Sequence, residues 1–183
     1  MAKNVNMDKS NTVLEMFLDR PEQSYHVREV ARVLSISPRT AKKYLSALAG
    51  DGLLLCERVG IYEKYRANRQ SQEFKDRKVF HTIRKVRGCG VIEFLETKFN
   101  YPAVVLYGSA ARGEDGSNSD IDIFVVTKTK VSGIDVGAFA KKLGHNLHVM
   151  MMGESDLRSG KNKELVNNAL NGIVVSGFVE VFK

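Results

Sequence analysis

The sequence predicts a two-domain α+β protein: a basic N-terminal half of three helices and a β-hairpin, then a C-terminal α/β domain around a mixed sheet. Three observations carry this reading. Residues 13–50 hold three apolar stripes at helical spacing, residues 91–183 alternate strand-like apolar runs with helical segments, and the charge divides sharply between the halves. Residues 1–88 contain 18 Lys and Arg against 10 Asp and Glu, a net of +8, whereas residues 89–183 contain 10 against 11, a net of −1. A basic half joined to a near-neutral one is the electrostatic footprint of a nucleic-acid-binding module attached to something else. The expected boundaries are 1–69 for the first domain, 70–90 for a linker helix and 91–183 for the second domain.

A chain of 183 residues buries a substantial core in either one or two domains. No apolar run approaches the ~20 residues that cross a bilayer, and the opening Met-Ala-Lys-Asn-Val-Asn leads into no hydrophobic signal core. A cytoplasmic protein without a membrane partner is expected. Cys56 and Cys89 have no metal-ligand spacing with each other or with the four histidines, and are read as reduced thiols.

In the first domain the stripes are Val13/Met16/Phe17, Val27/Val30/Ala31/Leu34 and Ala41/Tyr44/Leu45/Leu48, each lining one helical face. The third helix has the clearest start, with Ser37 as N-cap and Pro38 at the first helical position, and Gly50 or Gly52 closes it. The link Ser35-Ile36-Ser37 has the length of a helix-turn-helix connection, whose second helix enters the DNA major groove. Leu53–Arg58 and Tyr62–Arg66 flank Val59-Gly60-Ile61 and read as a hairpin turning near Gly60. Helix-turn-helix plus hairpin makes a winged helix. On the third helix Arg39, Thr40, Lys42 and Lys43 lie off the core stripe, and Arg58, Lys64 and Arg66 belong to the wing, so all seven are candidates for contacting double-stranded DNA. The alternative is a solvated charged face on a domain that contacts proteins.

Asn68–Gln72 is polar and marks the boundary, after which Phe74–Val86 reads as an amphipathic helix through Val79, Phe80, Ile83 and Val86. Its apolar stripe leaves homodimerisation open. Gly88-Cys89-Gly90 is expected to break it. The order that follows is helix 91–99, strand 103–107, glycine-serine loop with a short helix, strand 121–127, helix about 134–143, strand 146–152, helix about 162–170 and strand about 173–182.

The chemistry concentrates in Gly108-Ser109, ten intervening residues, and Asp120-Ile121-Asp122. Gly108 and Ser109 follow an apolar strand run, where backbone N–H groups at a strand-to-helix turn can hold phosphate. The strand period of two points Asp120 and Asp122 to one face and Ile121 and Ile123 to the other. Two carboxylates on a rigid edge suit Mg²⁺ or Mn²⁺, which completes its shell with water and substrate phosphates. A merely solvated acidic pair is disfavoured, because acids inside an Ile/Phe/Val run need compensation.

These residues resemble the signature of the DNA polymerase β-like nucleotidyltransferase superfamily, and Gly-Ser-Ala-Ala-Arg-Gly is similar to its small stand-alone members, the minimal nucleotidyltransferases. The resemblance covers about residues 91–183. Residues 10–68 in turn resemble the winged-helix domains of prokaryotic transcription regulators, archaeal ones included, by pattern more than by unique motif. The first resemblance implies in-line attack of a hydroxyl on the α-phosphate of a nucleoside triphosphate, with ATP the first choice, and release of pyrophosphate. It implies that Asp120 and Asp122 hold the metal, that Gly108 and Ser109 bind the β- and γ-phosphates, and that Ser119 orients the carboxylate strand. Arg112 adds a forked phosphate contact.

Active members of that superfamily carry a third carboxylate on a neighbouring strand. Here the strand reads Asn146-Leu-His148-Val-Met-Met-Met152, so His148 or, in a shifted register, Asn146 takes the position. His148 is then either a base or metal ligand, or a packed strand histidine. His145 reads as a helix-end surface group and Met150–Met152 as core filling, while Asp135, Glu154 and Asp156 fall outside the strand. Three functions stay open: transfer of a nucleotide to a small-molecule or protein acceptor, a DNA-binding regulator that senses nucleotide without turnover, and an antitoxin-type transferase acting on a partner toxin.

Overall fold

The computed structural model describes residues 2–60, 62–128, 133–153, 156–157 and 163–179, with side chains from Lys9 onward except that of Val59. The chain divides into two compact units between Lys78 and Val79.

The first unit contains α1 (Ala2–Asp19), β1 (Ser24–His26), α2 (Val27–Val33), α3 (Pro38–Gly50), β2 (Leu54–Val59) and β3 (Tyr62–Ala67), and ends within α4 (Gln72–Cys89). The three apolar stripes meet in one core with Val13, Phe17, Val30, Ala41 and Leu45 fully buried, and Phe74 of α4 joins them. Ser37 caps α3 as expected, its Oγ accepting from Thr40 N–H at 3.1 Å, and Pro38 takes the first turn. The helix closes at Gly52, whose successor Leu53 donates its N–H back to Leu48 O at 3.0 Å. β2 and β3 form the expected hairpin, in register from Leu54↔Ala67 to Val59↔Tyr62. A third strand was not foreseen: β1 pairs antiparallel with β3, giving a sheet of order β1-β3-β2. It delivers His26 to the start of α2, where Glu29 accepts from His26 N–H at 2.6 Å.

α4 begins and ends beyond the expected 74–86, and Gly88 and Cys89 belong to it. Cys89 Sγ donates to Val86 O at 3.0 Å and is buried, so the break falls on Gly90 alone, at φ +91°. The second unit continues with α5 (Val91–Phe99), β4 (Ala103–Tyr107), α6 (Gly108–Ala111), β5 (Ile121–Thr127), α7 (Gly137–Leu143), β6 (Leu147–Gly153), α8 (Lys163–Leu170) and β7 (Ile173–Ser176). α7 starts three residues later than expected: Asp135 Oδ1 accepts from Gly137 N–H at its first residue, and Ile134 and Val136 pack on the core from the irregular segment ahead of the helix. β7 is shorter than the expected 173–182: it ends at Ser176, Gly177 turns the chain at φ +65° and residues 177–179 are not strand, while 180–182 lie outside the described residues.

The sheet is mixed, as expected, in the order β6-β5-β4-β7. β4 runs antiparallel to β5 and β7, and β5 runs parallel to β6. Period-two alternation splits its side chains between two cores. Val104, Leu106, Ile121, Ile123 and Val125 pack with Val91, Ile92 and Leu95 of α5, whereas Val105, Tyr107, Phe124 and Val126 pack with Val166 and Ala169 of α8. Of the three methionines, Met152 is buried in the second of these cores, but Met150 is exposed, so the triplet is core filling only in part. Among the described residues no helix is long and apolar enough to cross a membrane.

Gly172, ahead of β7, lies so close to β4 that an added Cβ would collide with Leu106 O and meet Val105 Cγ1 at 2.9 Å. Both obstacles belong to a buried strand that cannot yield. Gly172→Ala is therefore expected to lower stability by about 1–3 kcal/mol, as a lower denaturant midpoint with an unchanged slope.

Candidate functional site

In the second unit, sheet register brings the motif together. Asp122, the second residue of β5, pairs across to Tyr107 of β4 on one side and to His148 of β6 on the other. Asp120 lies two residues earlier, just ahead of the strand, and faces the same way. Gly108 follows Tyr107 with φ +72°, and a Cβ there would stand 2.7 Å from Asp122 Oδ2. The glycine is therefore required twice, once by the backbone and once by the carboxylate that leans over it. Ser109, the second residue of α6, is half-buried, and no side chain caps the start of that helix.

The register settles which residue stands opposite the acids. His148 pairs with Asp122, its Nδ1 lying 3.7 Å from Asp122 Oδ1 and its Nε2 lying 3.8 Å from Asp120 Oδ2. Its side chain is 66% exposed, so it is not a packed strand histidine, and the carboxylates it spans are 40% (Asp120) and 30% (Asp122) exposed. Asn146 does not replace it; its amide donates to Asp120 Oδ1 at 2.9 Å. Burial holds the Asp122 carboxyl above the usual carboxylate range, with the Asp120 charge adding to that rise and His148 opposing it. Tyr107 is likewise raised, by burial first and by the Asp122 charge second.

The other expected residues of this unit are held by local partners. Ser119 Oγ accepts from Gly116 N–H at 2.8 Å and its carbonyl accepts from His145 Nδ1–H at 3.0 Å, so it fixes the loop that leads into the acids. His145 is thus a half-buried loop tie, not a free surface group. Arg112 is exposed, and its Nε donates to Glu114 Oε2 at 2.9 Å, so a phosphate would have to draw it from that partner. Of the other acids, Asp135 accepts from Gly137 N–H at the start of α7, Asp156 lies in a short helical segment after β6, and Glu154 falls outside the described residues. Among the described residues no group of three or more His, Cys, Asp and Glu side chains is arranged to hold a metal ion. Asp120 and Asp122 are nevertheless a hard-oxygen pair of the kind that binds Mg²⁺ through one or two carboxylates.

In the first unit Arg39 and Lys43 are exposed on α3, and Lys64 is half-exposed on β3. Thr40 bonds Ser37 through both its N–H and its hydroxyl, and so serves the helix start. Glu63 of β3 ties Lys42, at 3.1 Å, and Arg58, at 3.0 Å, and these partners hold its carboxyl below the usual range. Arg66 pairs with Glu57 at 2.6 Å. Three of the seven candidate cations and hydroxyls thus answer to acids of the same hairpin. A groove of about 840 Å³ runs beside the start of α3, and its lining includes Arg28, Arg39, Lys42, Glu63 and the exposed ring of Tyr62. Sequence reasoning missed Arg28 and Tyr62, because neither lies on the third helix or in a basic run of the wing.

Residues 90–175 match the family model described as Polymerase beta, Nucleotidyltransferase. The match spans α5 through β7 and includes Gly108, Ser109, Asp120, Asp122 and His148, and it supports nucleotidyl transfer chemistry in the second unit. No curated protein and no solved structure matches the chain.

The raised carboxyl has a stability consequence. A folded-state value above the unfolded one means that the native state holds the proton longer, so stability falls as pH rises through the interval between them and stays lower at neutral pH. Asp122→Asn removes the half-buried charge while keeping the shape. It is expected to raise the melting temperature at pH 7, with the gain fading at acid pH once Asp122 is protonated in both states; calorimetry across pH checks this.

Proposed function

We propose that the second unit transfers a nucleoside monophosphate from a nucleoside triphosphate to an acceptor hydroxyl. The observation that carries the reading is the close approach of Gly108 and Asp122 Oδ2: a phosphate-approachable turn and an acidic pair share one end of the sheet. Asp120 and Asp122 would hold Mg²⁺ or Mn²⁺, which supplies neutralisation of phosphate charge and orientation of the reacting oxygens. The chain's own contribution is positional. Gly108 admits the β- and γ-phosphates close to the backbone, and Ser109 adds a hydroxyl beside them. Asn146 keeps Asp120 turned toward its neighbour. Arg112 exchanges Glu114 for a phosphate oxygen, a trade its exposure makes cheap. Burial of Asp122 works in the same direction, since a carboxyl kept above its usual range gains most from an adjacent cation.

His148 favours a second reading, in which the unit binds nucleotide without turnover. A neutral imidazole in the place of a third carboxylate takes one negative charge from the metal side of the site. Incorporation of label from α-labelled ATP, dependent on Mg²⁺ or Mn²⁺, separates the two. Transfer is expected, reduced about 100-fold or more by Asp120→Ala; nucleotide binding with no incorporation into any acceptor would leave the sensor.

For the first unit we propose a winged-helix module that contacts double-stranded DNA through α3 and the β2–β3 hairpin. The charge of the N-terminal half, the Ser37-capped α3 and the cation-lined groove beside it support this. Glu63 then occupies, within the protein, the place of a phosphate between Lys42 and Arg58. Glu63→Gln is expected to tighten DNA binding and steepen its salt dependence, whereas Lys43→Ala should lower the salt slope by about 1. Salt titrations followed by fluorescence anisotropy read both.

A further inference from the structure

The groove beside α3 holds more than cations. Its lining also includes the rings of His26 and Tyr62 and the apolar side chains of Val27 and Pro38. Tyr62, the first residue of β3, is 62% exposed, and its ring meets the His26 ring edge-on with centroids 6.4 Å apart. His26 Nδ1–H donates to Glu63 O at 3.1 Å, which holds the imidazole against β3. Three cations share the groove with these rings: Arg28 of α2, and Arg39 and Lys42 of α3. Lys42 is tied to Glu63, whereas among the described residues no acid pairs with Arg28 or Arg39.

A phosphate backbone accounts for the cations but not for the rings. Base pairs inside a duplex keep their faces stacked on one another and turn only their edges to a protein. The face of a base becomes available where the strand is unpaired, and an aromatic side chain then takes the place of the neighbouring base in the stack. Apolar surface rimmed by charge marks a binding site, and a groove of about 840 Å³ has room for a base with its sugar.

We infer that the groove receives one unpaired base of a nucleic-acid strand, stacked on Tyr62, with the adjoining phosphates on Arg28 and Arg39. The inference rests on the reading of the first unit as a nucleic-acid-binding module, and it names the feature of the nucleic acid that this unit recognises. Charge orients the nucleotide. Glu63 puts a carboxylate on the hairpin side of the groove, so the phosphates belong beside α2 and α3 and the base beside the hairpin. A strand rather than a lone nucleotide is the occupant, because the cations continue past the groove. Lys43 is exposed on α3 and Lys64 is half-exposed on β3, and neither belongs to the lining. A polyanion reaches them while one of its bases fills the groove.

The test measures the full chain by fluorescence anisotropy, without divalent cations, on one duplex in three forms: blunt, with a 5′ overhang of three adenines, and with the same overhang built from abasic residues. The abasic overhang keeps the phosphates and removes the bases. The adenine overhang is expected to bind about tenfold more tightly than the abasic one. Tyr62→Ala should bring that ratio to about one whatever its effect on the blunt duplex, and Tyr62→Phe should keep it. Tyr62 stands outside the core, so neither variant removes a packing contact on which the fold depends. Arg28→Ala should weaken both overhangs by the same factor, since it removes a phosphate contact and no stacking surface. Equal binding of the adenine and abasic overhangs overturns the pocket and leaves the duplex reading standing, as does a ratio that survives Tyr62→Ala. A ratio that Tyr62→Ala abolishes, with no binding of the blunt duplex, upholds the pocket and removes the duplex reading instead. Free AMP that competes as well as the adenine overhang identifies a small-nucleotide site and overturns the strand as occupant. Failure of all three DNAs to bind removes the nucleic-acid reading of the unit and the pocket with it.

Discussion

The second unit is organised around the cost of holding the Asp122 carboxylate half out of water at the end of a buried strand. The strand is committed to the core by Ile121, Ile123, Phe124 and Val125, all essentially inaccessible, so Asp122 cannot swing clear without moving them. Its other constraint is Gly108, the one residue type that leaves room for Oδ2. The antiparallel pairing of β4 with β5 enforces both at once, because the residue after Tyr107 must turn directly beside the partner of Tyr107. A carboxylate held this way is destabilising in isolation and favourable beside a cation. Packing on both faces of the sheet offsets the cost, and the site gains a group whose ionisation is already biased by its surroundings.

The first unit handles charge differently. Its excess of cations is spread over solvated surface, where ion pairs contribute little to stability. Glu63 is the exception in kind, because one carboxylate engages cations from two elements, Lys42 on α3 and Arg58 on β2. That arrangement ties the hairpin to the helix and engages two cations with one negative charge. Net charge counted from composition does not say where the acids stand, and here Glu57 and Glu63 stand against cations of this same face.

The legible parts of the sequence were those in which local pattern and tertiary role agree. Val91–Phe99, Ala103–Tyr107 and Ile121–Thr127 emerged with the expected bounds because the first carries an apolar stripe at helical spacing, the other two are mainly apolar strand runs, and glycine, proline, asparagine or acid bounds each. β1 was not legible: Ser24–His26 is too short for a period and is a strand only because β3 offers it partners. The early start expected for α7 took in Ile134 and Val136, apolar residues that pack on the core from an irregular segment ahead of the helix. Within the site, the spacing of Gly108, Asp120 and Asp122 carried its own geometry. The choice between Asn146 and His148 did not, since a parallel pairing across an intervening helix fixes its register by packing rather than by any local signal.

That register decides the charge of the site. Asp120 and Asp122 together carry two negative charges when ionised, which one divalent cation balances. A third carboxylate opposite Asp122 would leave a surplus able to recruit a second cation; an imidazole there leaves none. His148 instead presents two ring nitrogens at 3.7 and 3.8 Å from the two acids, within reach of either through small movements. In its neutral form it donates through one nitrogen and accepts through the other, so it can steady one carboxylate while offering a lone pair toward whatever enters from the β6 side. On the transfer reading, activation of the attacking oxygen then shifts from a second metal toward positioning: the strand that would have held a cation holds a hydrogen-bonding ring, His148, near an amide, Asn146, that bonds Asp120. The same substitution that lowers the demand for metal thus raises the demand on the acceptor's own fit.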